Sequence, residues 1–438
     1  MKLSVEGYKS IATKQTLTFD GLTVLSGANS SGKSSFMQPF LILKQTIENH
    51  YDSGSLELYG ENAKLTDSSQ IISKVPQYTK KSFCVEMGTD KNFCSVVYKF
   101  KRGYGLQVDS VKLTNEKIPK GLTLKLGMKS EQIENNVPEE DFGFIKKFYE
   151  NEKLTPKWKA VREKCFISAE LSFGGDKFSR LKAGIEPTMK LQNFVTRLIH
   201  VPGLRGNPER IYKIASSEDV YPGSFEKYVA SIISDWGKLR KFEAKYTELK
   251  QQLLELGLAS NIKTVKIDDT SVEIQISRSN SSDEQDCVNI ADVGFGVSQT
   301  LPVLVALIAA KKGQYVYIEQ PELHLHPKAQ FKLSSIIAKA ISRGVQVIIE
   351  THSSILIRGI QIAVVKKELD KEKVALNWFT QNVKTGETEV SKGTLDEFGA
   401  FGEWPEDFDD TSLNVEQLYL DAVEEASYGQ EIFSDYRC

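Results

Sequence analysis

One short stretch near the start of the chain contains the residue types that bind phosphate. Residues 27–34, GANSSGKS, match the pattern GxxxxGK[ST] without a mismatch. Glycines let backbone N–H groups turn inward around phosphate oxygens, and a following helix adds positive potential at its N-terminus. Lys33 would bridge the β- and γ-phosphates, and the Ser34 hydroxyl would bind Mg²⁺. The stretch predicts a nucleotide site formed by Gly27, Asn29, Ser30, Gly32, Lys33, Ser34 and Ser35.

A second candidate comes much later, in residues 315–322, YVYIEQPE. Four apolar residues lead to Glu319, which predicts a buried strand ending in a carboxylate. A carboxylate at that edge can hold the Mg²⁺ of a bound nucleotide, so Glu319 and Ser34 are the predicted metal residues. The following His324-Leu325-His326 has no third ligand at a fixed spacing, which favours a role other than metal binding.

Two further motifs surround this strand. Residues 345–353, VQVIIETHS, predict another buried strand, and a histidine at its end, His352, could reach a γ-phosphate or the attacking water. Before an apolar helix stands the turn 292–299, DVGFGVSQ, which is a second candidate anion cradle. Gly294, Gly296 and Ser298 are its predicted binding residues.

The apolar pattern predicts the elements that position these motifs. A strand at 22–26 precedes the phosphate loop and a helix at 35–48 follows it, with Pro39 the one residue that fits poorly. Strands are predicted at 83–87, 95–100, 122–126, 263–266, 271–276, 315–319, 345–349 and 373–380. Helices are predicted at 226–260 (one or two), 297–311, 327–342, 354–364 and 414–427.

Composition excludes several classes of protein. The 438 residues suit one large domain or two, and 56 basic against 58 acidic residues argue against coating nucleic acid through overall charge. No apolar run reaches the roughly 20 residues of a membrane span, and the first residues do not form a signal peptide. The five cysteines lack paired spacing, so neither a zinc finger nor a disulfide framework is expected. We therefore expect a cytoplasmic protein without a membrane partner.

In this order the four motifs resemble the head of an ABC-type ATPase. More narrowly, they are similar to the SMC-like and OLD-family ATPases of bacteria, whose heads are split by a long insertion. The segments of similar appearance are 8–10 (YKS), 203–210 (GLRGNPER), 318–327 (IEQPELHLHP), 350–353 (ETHS) and 402–405 (GEWP). The resemblance covers 1–60 and 195–410 and leaves the segment between them unplaced.

The resemblance implies an α/β fold in which both chain ends build an ABC-type P-loop ATPase head. An inserted mixed α/β region and a short helical arm would interrupt it. The expected divisions are 1–60 (head, phosphate loop), 61–222 (inserted region), 223–260 (helical arm), 261–400 (head, remaining motifs) and 401–438 (acidic tail).

The resemblance also implies ATP and Mg²⁺ as ligands, and a head-to-tail dimer that encloses two ATP molecules. The turn at Gly294, Gly296 and Ser298 of one copy would close over the nucleotide of the other. ATPases of this kind occur in anti-phage systems such as Septu, paired with a separate nuclease, so an HNH- or TOPRIM-type nuclease subunit is the expected partner. By position alone, Gln70 and Gln77 are candidates for the glutamine of the family's Q-loop.

One departure from the family pattern affects the chemistry. ABC ATPases usually end this strand in Asp-Glu, and the glutamate polarises the attacking water. Here these positions hold Glu319 and Gln320, and an amide cannot accept the proton. Slow hydrolysis is therefore expected unless Glu322 or His352 acts as the base; Glu322 could equally only cap the following turn.

Three other functions remain to be weighed. A self-contained OLD-type nuclease would need a fused TOPRIM domain, and the Asp407–Asp410 run has no strand pattern before it. An SMC-type repair ATPase would need a coiled-coil arm longer than residues 226–260. A transporter ATPase would lack the long insertion that separates the motifs of this chain.

The sequence leaves open whether DNA contacts the chain. Residues 144–164 mix basic and aromatic residues, which suits either a nucleic-acid surface or an amphipathic helix with buried aromatics. Arg205 and Arg210 could contact a phosphate or a partner carboxylate, or only stabilise a turn.

Overall fold

The computed structural model describes residues 1–116, 118, 121–137, 156–173, 183–216, 219–277, 286–400, 417–418 and 420–421. Most of the acidic tail predicted at 401–438, including Asp407–Asp410, lies outside these residues. Of the helix predicted at 414–427, four positions are described, and they are helical.

The described strands are β1 (Lys2–Glu6), β2 (Gln15–Thr18), β3 (Leu22–Gly27), β4 (Ser82–Gly88), β5 (Phe93–Lys101), β6 (Gly105–Thr114), β7 (Leu122–Leu124), β8 (Pro156–Glu163), β9 (Phe166–Phe173), β10 (Ala183–Ile185), β11 (Ile199–Val201), β12 (Tyr212–Lys213), β13 (Asn261–Lys266), β14 (Ser271–Ser277), β15 (Cys287–Asn289), β16 (Tyr315–Glu319), β17 (Gln346–Glu350), β18 (Val374–Gln381) and β19 (Thr388–Gly393). The described α-helices are α1 (Lys33–Glu48), α2 (Ser130–Glu134), α3 (Met189–Arg197), α4 (Glu226–Lys238), α5 (Glu243–Glu255), α6 (Phe295–Ala309), α7 (Pro327–Ser342) and α8 (Ser354–Val365).

A six-stranded central sheet has the order β11-β16-β17-β3-β18-β19. Its strands are parallel except β19, which runs antiparallel to β18. Apolar residues fill both faces of the inner strands, as expected of a parallel sheet covered by helices. The α/β class predicted from the sequence is confirmed, and β16 and α7 have the predicted bounds.

The two faces of the central sheet belong to different apolar cores. Val316 and Ile318 of β16 pack in one core with α4 to α8, whereas Tyr317 packs in the other with α1 and the antiparallel strands. Ile348 of β17 lies on the same side as Tyr317. Because side chains alternate along a strand, Glu319 and Glu350 also point to the α1 side.

A second six-stranded sheet, β2-β1-β4-β5-β6-β7, is antiparallel. It begins in residues 2–18 and continues through residues 82–124, so the division expected at residue 60 falls within one sheet. The separation of β1 and β2 from β4 in sequence hides this pairing. β11, also expected in the inserted region, lies at the edge of the central sheet beside β16.

Residues 226–260 form two helices, α4 and α5, that pack on the head. Trp236 on α4 and Leu249 and Leu253 on α5 are buried in the same core as α6. The strands β13 and β14 cover the other side of this core, in the small sheet β12-β14-β13, where β15 also pairs with β14.

The part of residues 144–164 that the structure describes is a strand and not an amphipathic helix. Residues 144–155 lie outside the described ranges, and 156–163 form strand β8, paired with β9. Trp158 is buried in the core under this sheet, so it has no exposed face on which a base could stack. The alternation of Trp158, Ala160 and basic residues is a strand pattern of period two.

Candidate nucleotide site

The phosphate loop connects β3 to α1 and lies tightly against β18 and β19. A Cβ atom at Gly27 (φ 142°) would lie 2.2 Å from Phe379 O, and one at Gly32 (φ 102°) would lie 2.4 Å from Thr388 Oγ1. Both positions therefore require glycine, for the backbone angle and for the close approach. The tip of the loop, residues 28–30, is exposed.

The first turn of α1 is open to an anion. The helix begins at Lys33 without a side-chain cap, so the N–H groups of its first turn, which includes Ser34 and Ser35, have no side-chain acceptor. Lys33 Nζ donates to Gly27 O (3.1 Å) and to Ala28 O (2.7 Å). Burial lowers the pKa of Lys33, with the charge of a nearby carboxylate opposing it. A phosphate would replace these two carbonyl contacts with a stronger ionic one.

Ser34 meets a carboxylate that the sequence did not single out. Its hydroxyl donates to Glu350 Oε1 at 2.7 Å, and Tyr317 donates to Glu350 Oε2 at 3.1 Å. Glu350 ends β17, which lies between β3 and β16. The carboxylate in contact with the phosphate-loop serine is therefore Glu350, whereas the sequence had paired Ser34 with Glu319.

Glu319 ends the neighbouring strand β16 and has other partners. Its Oε1 lies 3.1 Å from His200 Nε2, and its Oε2 accepts from Gly203 N–H at 3.0 Å. His200 Nδ1 lies 3.0 Å from Asn62 Oδ1, and its ring stacks on Tyr317. Burial raises the pKa of Glu319, but the bonds to His200 and Gly203 outweigh it and leave the pKa below its usual value.

Glu322 and His352 lie together behind the ends of β16 and β17. Glu322 Oε1 accepts from Thr351 Oγ1 (2.8 Å) and from His352 N–H (3.0 Å), while its buried Oε2 has no hydrogen-bond partner. Burial raises the pKa of Glu322. Burial, followed by the charge of Lys33, lowers the pKa of His352 despite a hydrogen bond to Gly27. His352 is therefore neutral near pH 7 and lies beside the phosphate loop.

Gln320 occupies a constrained position directly after β16. Its φ is +45°, which is unusual for a residue other than glycine, and its N–H donates to Glu350 O at 2.7 Å. This bond ties the end of β16 to the end of β17. The amide thus lies at the strand edge where the resemblance places the catalytic glutamate.

In the glycine turn before α6, Gly294 is exposed and Gly296 is half-buried, and a Cβ atom at either position would have no atom of the phosphate loop of the same chain within 4 Å. Gly294 is the uncapped N-cap of α6, and a Cβ there would meet no atom within 4 Å. Gly296 instead lies near Leu258 and His324 O, and Ser298 Oγ donates to Phe295 O. The atoms nearest to Gly27 and Gly32 of the phosphate loop belong instead to Phe379 of β18, Thr388 of β19 and Ser10.

The remaining sequence candidates have local roles. His326 accepts the Lys328 N–H as the N-cap of α7. Gln70 Oε1 accepts from Thr66 N–H in an exposed turn. Arg210 forms an exposed ion pair with Asp292.

Sequence reasoning missed Asn62, His200, Tyr317 and Glu350. Glu350 gave the same signal as Glu319, a carboxylate at the end of a buried strand, and could have been found. His200 lies in a three-residue strand without a recognisable pattern, so only the pairing of β11 with β16 reveals its role.

Arg205 is a buried residue that connects the end of β16 to α6 through hydrogen bonds. Its buried guanidinium donates to the carbonyl groups of Gln299 (3.1 Å) and Glu319 (2.8 Å), with Gln320 O at 3.4 Å. Burial lowers its pKa to about 10, although Glu226 and other carboxylates oppose the shift. Arg205 could have bound a phosphate or a partner carboxylate, or stabilised a turn. Its contacts are with backbone carbonyl groups of its own chain, which is the structural role.

We expect Arg205→Ala to lower the free energy of unfolding by about 2–4 kcal/mol, because several buried carbonyl groups lose their donor. Urea unfolding measures the change. Arg210→Ala is the matched control, since its ion pair with Asp292 is exposed and should contribute little. Equal stability of the two variants would contradict the role assigned to Arg205.

The fold and the site have the arrangement of a P-loop ATPase head. A phosphate loop follows β3, two acidic strand ends lie beside it at the same sheet edge, and a glycine turn opens α6 on the exposed surface. The two ends of the chain together build this sheet.

Residues 205–358 match a family model described as "AAA domain, putative AbiEii toxin, Type IV TA system". The match includes the glycine turn, β16, β17 and His352, and it supports the ATPase class independently of the phosphate loop. No curated protein matches the chain.

Solved structures also match, and three of them are SMC heads. They are an Smc head bound to the C-winged helix domain of ScpA (12% identity, TM-score 0.44, covering 90% of this chain and 98% of that chain), the SMC head domain from Thermotoga maritima (12%, 0.38, 90% and 98%), and the Smc head domain with an extended coiled coil bound to the C-terminal domain of ScpA from Pyrococcus furiosus (11%, 0.40, 90% and 96%). The ATPase class rests on the site geometry and the family match. Within the described residues no helix has both the length and the apolar character to cross a membrane.

Proposed function

We propose that this protein binds Mg²⁺ and ATP and hydrolyses the nucleotide slowly. The observation that carries the proposal is the hydrogen bond between Ser34 and Glu350 at the N-terminus of α1, a helix without a side-chain cap. Ser31 Oγ in the same loop is buried without a hydrogen-bond partner, which fits a cradle that a bound phosphate completes. Described residues offer no group of three His, Cys, Asp or Glu for a metal, so phosphate and water oxygens would supply most Mg²⁺ ligands.

The proposed roles follow the position of each side chain. Lys33 neutralises the phosphates, Ser34 offers its hydroxyl to Mg²⁺, and Glu319 contributes negative charge near the metal. Bound Mg²⁺ supplies charge neutralisation of the transferred phosphoryl group. The backbone and side chains assigned to the phosphates are those of Gly27, Asn29, Ser30, Gly32, Lys33, Ser34 and Ser35.

Slow turnover is proposed because Gln320 replaces the glutamate that would take a proton from water. Glu322 and His352 are the alternative bases. Glu322 has a raised pKa and an unpartnered oxygen, and His352 has a lowered pKa that keeps its ring neutral and able to accept a proton. The hydrogen bond between His352 N–H and Glu322 holds the two candidates together.

We further propose a head-to-tail dimer of two copies. Gly294 is exposed and Gly296 and Ser298 are half-buried at the start of α6, and a Cβ atom at either glycine would have no phosphate-loop atom within 4 Å. This uncapped helix end is therefore available to a nucleotide on another molecule. Two identical subunits can satisfy both sites at once only through a twofold axis.

The biological role that we propose is control of a separate nuclease of HNH or TOPRIM type in bacterial anti-phage defence, in the cytoplasm. It is supported by the motif resemblance and by the description of the matching family, which names a toxin of a toxin–antitoxin system. ATP-dependent closure of the dimer would hold or release the nuclease.

ATP hydrolysis and light scattering, measured together on the purified chain, test the ATPase and the dimer. We expect a twofold increase in mass with Mg²⁺ and ATP and slow phosphate release, because closure requires nucleotide while water activation is weak. Lys33→Ala should abolish both. Rapid turnover at constant mass would contradict the clamp, and absence of nucleotide binding would contradict the ATPase.

A further inference from the structure

A buried polar network reaches the phosphate loop from the far edge of the central sheet. His200 on β11 contacts Glu319 and stacks on Tyr317, Tyr317 donates to Glu350, and Glu350 accepts from Ser34. β16 and β17 align Glu319 with Glu350 as direct neighbours on parallel strands, about 4.8 Å apart. Both carboxylates therefore lie on the α1 face beside the loop.

The two carboxylates are held differently. Each oxygen of Glu319 has a partner on the β11 side, His200 or Gly203, whereas Glu350 contacts the phosphate loop itself. Ser34 is the residue whose hydroxyl a P-loop protein offers to Mg²⁺. The carboxylate that determines the direction of this hydroxyl is thus Glu350.

The hydrogen bond leaves Ser34 able to bind a metal. A serine hydroxyl has one hydrogen and two lone pairs. The hydrogen is donated to Glu350, so the lone pairs of Ser34 Oγ point elsewhere, and Ser34 is exposed at the start of α1. A fixed hydroxyl with free lone pairs is a prepared ligand, and such supporting contacts raise metal affinity.

We propose that Glu350 is a positioning residue for the Mg²⁺ of the bound nucleotide. It acts by fixing the hydroxyl of Ser34 for the metal. Tyr317 holds the other oxygen of Glu350 and keeps the carboxylate in place. This inference rests on the nucleotide site proposed above and adds to it a residue for which the resemblance assigns no role.

The test measures binding of a fluorescent ATP analogue, mant-ATP, during Mg²⁺ titration, so its readout does not depend on hydrolysis. Glu350→Gln replaces the carboxylate that accepts from Ser34 with a neutral amide, which holds the hydroxyl less strongly and can direct its NH2 group at the serine lone pairs, and we expect it to raise the Mg²⁺ concentration at half-saturation by about 10-fold or more. Affinity for the analogue in EDTA should not change. Glu48→Gln is the matched control, because Glu48 is a half-buried carboxylate at the opposite end of α1, about 21 Å from Ser34.

A second measurement distinguishes positioning from a general loss of structure. Ser34→Ala should raise the Mg²⁺ concentration at half-saturation at least as much. The double variant, Ser34→Ala with Glu350→Gln, should need no more Mg²⁺ than the single variant with the larger effect, because both substitutions act on one metal ligand. Additive effects, or a normal Mg²⁺ dependence in Glu350→Gln with hydrolysis lost, would overturn the inference. If wild type and Glu48→Gln both fail to bind the analogue, the nucleotide site itself is refuted.

Discussion

Gly294→Asp should lower the rate of ATP hydrolysis by about 100-fold or more while ATP binding to the single chain is retained. Gly294 begins α6 at an exposed turn, with ordinary backbone angles (φ −63°, ψ 151°) and open space where a side chain would project. Aspartate is also a favourable N-cap, so the fold should be unaffected. Its charge would stand where the proposed dimer places the phosphates of the other copy, and it would repel them.

Gly294→Asn is the matched control, because asparagine has the same shape and caps the helix equally well without the charge. It should lose much less activity than the aspartate variant. Hydrolysis is measured by phosphate release, binding by mant-ATP fluorescence, and stability by urea unfolding.

Mixing two inactive variants tests whether the site is shared between copies. Lys33→Ala lacks the phosphate-loop lysine and Gly294→Asp lacks the closing turn. In a head-to-tail dimer of one copy of each, one of the two composite sites is intact, so an equimolar mixture should recover about a quarter of wild-type activity. A mixture that remains inactive, together with an active monomer of wild type, would refute the head-to-tail arrangement.

Gln320→Glu should increase kcat by about 100-fold. The side chain follows β16 at the strand edge beside Glu350, and a carboxylate there could take a proton from the attacking water, which an amide cannot. General-base catalysis contributes about 10²–10⁴-fold where it operates. The ATP-bound dimer should also become short-lived, as seen by light scattering during a single turnover.

Gln320→Met serves as the control, since methionine has a similar length but no base, and its turnover should remain slow. Glu322→Gln identifies the base that wild type uses. A large loss in Glu322→Gln with no gain in Gln320→Glu would show that Glu322 already acts as the base and that Gln320 does not limit hydrolysis.

Local sequence predicted the elements around the motifs well. Runs such as residues 315–319 are apolar on both faces, and the helix at 327–342 has a regular apolar stripe, so both were found with their observed bounds. The signals were weaker in the antiparallel region. β6 and β11 were missed, and the described part of 144–164 proved to be a strand. β6 and this strand pair with the strands next to them in the sequence, β5 and β9, whereas β11 pairs with β16, more than 100 residues away; in each case pairing rather than local preference decides the segment.

The sequence by itself determined the phosphate loop, the glycine turn and the acidic end of β16, because each depends on residue types a few positions apart. Only the tertiary structure decided which carboxylate meets Ser34. Glu350 and Ser34 are 316 residues apart in the chain, and their contact depends on β17 lying between β3 and β16. Strand order determines which side chains are neighbours at the sheet edge, and no local pattern of residues encodes that order.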